Sequence, residues 1–540
     1  MIKYVLILKT LLILMPSYAQ VKLKSDLTDK QTVTISKEVL KDKIAGGWAG
    51  KMIGVTYGAP TEFRAQGKTF EDSIRWTPAD VKGSVWQDDI YVQLTFMEAM
   101  DKYGIDAPAK KFQELFAKSG YMLWHANVQG RKNYFDSIFP PLSGQPEFNL
   151  HADDIDFQIE SDFIGFICPG MPQTAGRIAD KIGHIMNYGD GLYGGIFVAA
   201  LYTEAYFEND IGKIISKALR SIPVESDYAK IINDVIVLHS HYPHNWRLAW
   251  QELENKWGNV NICEAGKSFN IDAKLNGAYI IMGLLYGVGD VNKTMEIATR
   301  CGQDSDCNPS NAVAVLGIIN GFSGLPVAYQ AAVTAMKDTL FNNTSYSFNK
   351  AVNRTFEYAN EIISGNGGLI SEMELTIKVQ TPKAFPLEIA FPDLVFDKRV
   401  TVFNSLKDVT WDLKGKWNDS KNSQSKYSNT TGDEISITFV GTGVSIEGNW
   451  VKDGGKADVF VDGKFKRTID CFFYYAGQEH RGINIFHILN LPEGKHTIKL
   501  IVKETKNPMS SNTNIYVSGA VIYKNAVKTN ENFKFSFENN

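Results

Sequence analysis

Gly302-Gln303-Asp304-Ser305-Asp306-Cys307-Asn308 places two carboxylates two residues apart in a short loop before a helical pattern that runs from Ser310 to Phe322. Two Asp at i and i+2 in a loop can turn both side chains toward one point, and hard cations such as Mg²⁺ or Ca²⁺ require such oxygen clusters. A second pair, Asp88-Asp89, follows Trp86-Gln87 and also precedes a helical pattern. Asp at a helix start is ordinarily a cap that accepts backbone N–H bonds and complements the helix dipole. Two such pairs far apart in sequence point instead to one cation site built from two helix ends.

Other polar groups carry weaker signals. Glu62 follows Pro60, which ends a helical run and delivers the acid to a loop. The acidic run from Asp153 to Asp162 alternates with apolar residues, which fits a solvated edge or helix start, or a loop facing substrate. Tyr188-Gly189-Asp190-Gly191 opens a helix, and Asp190 and Gly191 are candidate sugar contacts. A turn that needs positive φ explains the same glycines. His239, His241 and His244 are close in sequence, but Pro243 breaks the helix between them and no zincin spacing is present.

The elements that must position these groups are helical. From Lys37 to about Ser364 apolar residues recur at three and four. Gly46, Gly50, Gly54 and Gly58 fall on one stripe of the first helix, which lets another helix approach closely. Composition shifts at Gly365-Asn366-Gly367-Gly368, and a segment with Pro382, Pro386 and Pro392 follows. From about Val400 the chain alternates polar and apolar residues with period two, as in Glu434 to Phe439 and Lys456 to Val461. Asp462-Gly463 is a hairpin signal. These features predict a multidomain chain, an all-α bundle over 37–364, a linker over 365–399 and a jelly-roll-like β-sandwich over 400–525. Among the sandwich aromatics, exposure is expected at one or two, around Tyr474-Tyr475 near His480, where carbohydrate could stack.

Three pieces in order, the Gly-rich helix ending in Gly58-Ala59-Pro60-Thr61-Glu62-Phe63, the Asp88-Asp89 pair and Gly302-Gln303-Asp304-Ser305-Asp306, resemble the ADP-ribosylglycohydrolase family. The resemblance implies an all-α fold with a binuclear Mg²⁺ centre that cleaves a bond to C1 of a ribose. By position it makes Asp88, Asp89, Asp304 and Asp306 metal ligands, and Glu62 and Asp89 catalytic carboxylates. Gln87 stands where the family commonly has Thr, and it offers an amide oxygen to the metal. Cys307 stands where a hydroxyl residue is usual, and a thiol is a poor Mg²⁺ ligand. One or two Mg²⁺ ions are therefore compatible with the sequence, and Ca²⁺ is an alternative. Val55 replaces an Asp often found after the early Gly.

The chain of 540 residues holds 56 basic and 60 acidic side chains, so no global field recruits nucleic acid or anionic membrane. Met1-Ile2-Lys3, an apolar run from Val5 to Met15 and Ser17-Tyr18-Ala19 read as a secretory signal peptide, residues 1–19. A secreted, periplasmic location and a glycan or glycoside substrate are expected, without stable membrane insertion. The five Cys are odd in number and do not form a disulfide framework, although Cys301 and Cys307 are close enough in sequence to pair. The expected activity is metal-dependent glycosyl hydrolysis. The alternatives are a non-catalytic glycan-binding protein on the same fold and an ADP-ribosyl-protein hydrolase.

Overall fold

A computed structural model describes residues 32–421 and 424–526. The expected signal peptide lies outside the described residues. Helices dominate from Lys37–Gly58 through Phe348–Gly365, and two antiparallel sheets of five and six strands follow, as the periodicities predict. No helix among the described residues is long and apolar enough to cross a membrane.

The first helix, Lys37–Gly58, starts where the Ser36 hydroxyl accepts from the Val39 N–H at 3.1 Å. Its small-residue stripe lies against the helix Cys307–Asn320. A Cβ on Gly46 would stand 2.0 Å from the Gly317 carbonyl oxygen, and one on Gly58 would stand 2.0 Å from that of Ser305. Only bare backbone permits this approach, and it fixes the Gly302–Asp306 loop beside the C-terminal end of the first helix.

The segment after the helices is not a bare linker. Glu374–Lys378 pairs antiparallel with both Thr32–Ser36 and Leu369–Ile370, tying the end of the bundle back to its start. The sandwich also begins earlier than its alternation suggests, with Leu394–Thr401 paired to Ile515–Asn525. Strands such as Glu434–Gly441 and Gly494–Val502 bury every second residue, so Ile435, Ile437, Phe439, Ile498 and Leu500 form the core. Of the sandwich aromatics singled out above, Tyr474 is exposed, whereas Tyr475 packs on Phe135 of the helical part at 5.4 Å. The sandwich is docked by polar contacts as well: the Leu123 N–H donates to Gln478 Oε1 at 3.1 Å, and His487 Nε2 contacts the Pro146 carbonyl at 2.6 Å. All five cysteines are free thiols, so Cys301 and Cys307 do not pair.

Candidate active site

Two loops are laced together to build the site. The Phe63 N–H donates to the Gln303 carbonyl at 3.0 Å, and the Gln303 N–H donates to that of Ala65 at 2.7 Å. The Thr61 and Ser305 hydroxyls meet at 2.8 Å. Gly302 and Gln303 both adopt positive φ, 87° and 54°, which turns the chain sharply before Asp304. The Asp304 N–H is held by Asn276 Oδ1 at 3.3 Å, and the same oxygen accepts from Asn308 at 3.1 Å. These bonds place Glu62 opposite Asp304 and Asp306.

Single oxygens of Glu62, Asp304 and Asp306 all lie within 4.8 Å of one another, as do the ligand atoms of Asp89, Asp306 and Cys307. Asp88 and Asp89 start the helix Asp88–Tyr103. A cavity of about 310 Å³ is lined by Glu62, Asp88, Asp304, Asp306 and Cys307, with Trp86, Tyr91, Trp124 and His125 among its walls. A cavity of about 410 Å³ lies at the domain junction, but its acids are paired, Asp136 with Lys132 and Asp470 with Lys456.

The electrostatics of the acidic cavity are unbalanced. Asp304 and Asp306 are buried, and Oδ1 of each has no hydrogen-bond partner. Burial pushes both carboxyls well above the usual range, and neighbouring carboxylates, Glu62 beside Asp304 and Asp304 beside Asp306, push further. Burial and then Asp89 raise Asp88 to about 6. Glu62, exposed at the cavity mouth, is raised by desolvation and then by Asp306 and Asp88. The counter-charge inside the protein is Lys51, fully buried, 2.8 Å from Asp162 and 3.5 Å from Asp89. Burial opposes its ammonium, but Asp162 and Asp89 outweigh that and hold its pKa above the ordinary value. One ammonium does not match this cluster, and unpartnered buried carboxylate oxygens fit a hard divalent cation. The acidic groups can hold a metal.

Other expected residues fall elsewhere. Gln87 is the half-buried N-cap of its helix and does not line the cavity. Asp190 and Gly191 lie outside it too. Asp190 Oδ1 accepts from the Tyr228 N–H at 2.9 Å, and its other oxygen faces Lys274 at 3.7 Å in a buried cluster with Asp153 and Asp272. A Cβ on Gly191 would stand 2.3 Å from the Ala152 carbonyl oxygen, so that glycine serves packing. Conversely, the acidic run 153–162 is buried rather than a solvated edge. Asp156 lines the cavity with Oδ2 unpartnered, and burial and then Asp154 raise it to about 8. Behind it Glu160 accepts from Asn127 Nδ2 at 2.5 Å. Ile155, Asp156 and Ile159 face the cavity while Phe157 packs into the core, and the mixing of acids with apolar residues was the one signal of this double exposure.

The geometry makes Gly58 a support of the site. Gly58→Ala would drive a methyl into Ser305 and to 2.4 Å from the Asp306 Cα, costing about 1–3 kcal/mol. Mg²⁺ titration of this variant by calorimetry is expected to show weaker binding than wild type, while Gly463→Ala, at an open sandwich turn, leaves binding unchanged.

Two curated proteins of Flavonifractor plautii match short stretches. An "A type blood alpha-D-galactosamine galactosaminidase" is 31% identical over 94 residues, 16% of this chain and 8% of that protein. An "A type blood N-acetyl-alpha-D-galactosamine deacetylase" is 26% identical over 145 residues, 26% of this chain and 17% of that protein. The chain thus spans less than a fifth of the length of either. Among solved structures, an ADP-ribosylglycohydrolase-related protein complex superposes with a TM-score of 0.43 at 14% identity, covering 60% of this chain and 99% of that one. The ADP-ribosylglycohydrolase family model matches residues 36–356, well over half of the sequence and every loop that contributes Glu62, Asp88, Asp89, Asp304 and Asp306. On that match the chain belongs to the ADP-ribosylglycohydrolase family.

Proposed function

We propose that this protein is a secreted, periplasmic, metal-dependent glycosyl hydrolase that cleaves a glycosidic bond of a glycan or glycoside. The observation that carries the reading is the convergence of Glu62, Asp88, Asp304 and Asp306 on one cavity, with Asp89 buried beside Asp306 and Cys307 and with orphaned oxygens on Asp304 and Asp306. The partial matches to a galactosaminidase and a deacetylase support a sugar substrate.

Asp88, Asp89, Asp304 and Asp306 would hold Mg²⁺, as one ion or two, and Ca²⁺ suits the same oxygens. A cation held there would supply a Lewis acid able to bind vicinal sugar hydroxyls and polarise an oxygen at the reacting carbon. Cys307 donates its thiol to Asp89 Oδ2 at 3.2 Å and so orients a ligand rather than serving as one. Glycoside cleavage builds positive charge at C1 and negative charge on the leaving atom, so it needs a group that gives or takes a proton there. We assign that role to Glu62, on its position at the mouth of the cavity beside Asp304 and Asp306. Trp86 and Trp124, both exposed at the rim, offer flat faces to a sugar ring.

The test is hydrolysis of a panel of aryl furanosides and pyranosides, with an ADP-ribosylated peptide alongside, in Mg²⁺ or Ca²⁺ and then in chelator. Chelator-sensitive release of one sugar is expected. Silence on the sugars with turnover of the peptide would move the assignment to an ADP-ribosyl-protein hydrolase. Silence throughout would favour a glycan-binding protein. Glu62→Gln is expected to lower kcat by about 10²–10⁴-fold, the range for a positioned acid or base, with metal binding retained. Unchanged turnover in that variant would remove Glu62 from the mechanism.

A further inference from the structure

We propose a second metal site, of different chemistry, formed by His125, His151 and Asp154 and selective for a borderline cation of the Zn²⁺ class. One ligand atom from each of the three lies within 4.8 Å of the others. His151 Nδ1 is hydrogen-bonded to Asp154 Oδ2 at 2.6 Å, a bond the cation would displace, and His125 Nδ1 stands 3.7 Å from the same oxygen. Two imidazole nitrogens and one carboxylate suit Zn²⁺, Co²⁺ or Fe²⁺, whereas the neighbouring all-oxygen site suits Mg²⁺ or Ca²⁺.

Three independent features support a built site. Asp154 is 2% exposed, and Cys263 donates its thiol to Oδ1 at 2.9 Å from behind, the outer-shell bond that orients a metal-binding carboxylate. His125 holds a left-handed backbone, φ 45°, at the first residue of the helix His125–Phe135. A bulky residue in that region is strained, and such strain concentrates where side-chain placement matters. Its ring is fixed by stacking on Phe269 at 5.6 Å, and it meets His151 edge-on at the same distance. Finally, the nearby ammonium of Lys267 is committed to Glu264 at 2.5 Å.

The site sits where two cavities meet. His125 and Trp124 line both the acidic cavity and a second one of about 130 Å³, whose other walls include His151, Cys263 and, from the sandwich, Trp450 and His480. Three protein ligands leave a coordination position open to these cavities. A hydroxyl or carbonyl oxygen of a ligand reaching across from the acidic centre completes the shell, so the second metal serves recognition at the domain junction.

The test needs no substrate and is independent of the hydrolase reading. Untagged full-length protein is stripped with chelator, saturated with Mg²⁺ and titrated with Zn²⁺, with bound metal counted by mass spectrometry. Co²⁺ is then used to read the ligand field by visible absorption. About one Zn²⁺ or Co²⁺ is expected per chain, undiminished in Asp304→Asn and in His244→Gln, and lost in His125→Gln and His151→Gln. Cys263→Ala should weaken binding by about 10–100-fold, as loss of an outer-shell partner does. Circular dichroism checks that the variants are folded. No Zn²⁺ retained above Mg²⁺, or equal Zn²⁺ in a folded His151→Gln and His125→Gln, would overturn the proposal and leave His151–Asp154 as a buried hydrogen-bonded pair.

Discussion

Asp304→Asn is expected to lower hydrolysis by at least about 10³-fold, because a cation contributes several kcal/mol of charge stabilisation and each 1.36 kcal/mol is tenfold in rate. The same change carries a sign prediction for stability. In metal-free protein Asp304 is buried beside Glu62, Asp306 and Asp89, and its Oδ1 has no partner. Replacing the carboxylate by an amide removes that repulsion, so metal-free Asp304→Asn unfolds at higher urea than metal-free wild type. With Mg²⁺ the order inverts. At a hundredfold excess over Kd a bound ion stabilises wild type by about 2.7 kcal/mol, and the variant loses this. Urea titrations of both proteins with and without Mg²⁺ read the crossing directly. Parallel curves, with the same Mg²⁺ response in both proteins, would show that Asp304 does not hold the cation.

The parts of this site visible in the sequence are those whose meaning is local. Two Asp at i and i+2, two adjacent Asp before an apolar period, and glycines four apart are short patterns, and each fixes where its own side chains point. The sandwich was visible for the same reason, since period-two alternation in Glu434–Gly441 and Gly494–Val502 is a property of each strand alone. What was hidden depends on partners distant in the chain. Asp156 does start a helix, Asp156–Glu160, but that local pattern did not record that it takes the Asn127 N–H and lines the same cavity as Asp304 and Asp306. Asp190 looked ready for a sugar, yet Lys274 and the Tyr228 N–H claim its oxygens. Glu374–Lys378 reads as linker, and its pairing with Thr32–Ser36 spans over three hundred residues that no local pattern records. His125 stands alone in the sequence, and only the fold brings it to His151, Asp154 and Cys263.

Lys51→Met is expected to cost about 3–5 kcal/mol, the range for removing one partner of a buried ion pair. Lys51 lies one position from the Gly50 contact face, and its side chain is wholly buried. Its ammonium donates to the Ile159 carbonyl at 2.9 Å as well as facing Asp162 and Asp89. Asp162 keeps three other donors, Tyr202 at 2.5 Å, Asn311 at 2.9 Å and Gln93 at 3.2 Å. Its charge nevertheless has no cation but Lys51 within ion-pair distance among the described residues. Methionine fills the same volume, so packing changes little and the cost is electrostatic. Two further results follow from that. Lys51→Met/Asp162→Asn removes both charges of the pair and should recover much of the loss, giving a coupling energy well above the few tenths of a kcal/mol found for independent sites. The single variant should also gain more from Mg²⁺ than wild type does, because Asp89 then faces the cation without a competing ammonium 3.5 Å away. A cost below about 1 kcal/mol, the scale of a surface pair, would mean that Lys51 is not the internal counter-charge of the acidic site. A normal cost with no extra Mg²⁺ response would instead separate the ammonium from the cation and confine its role to Asp162.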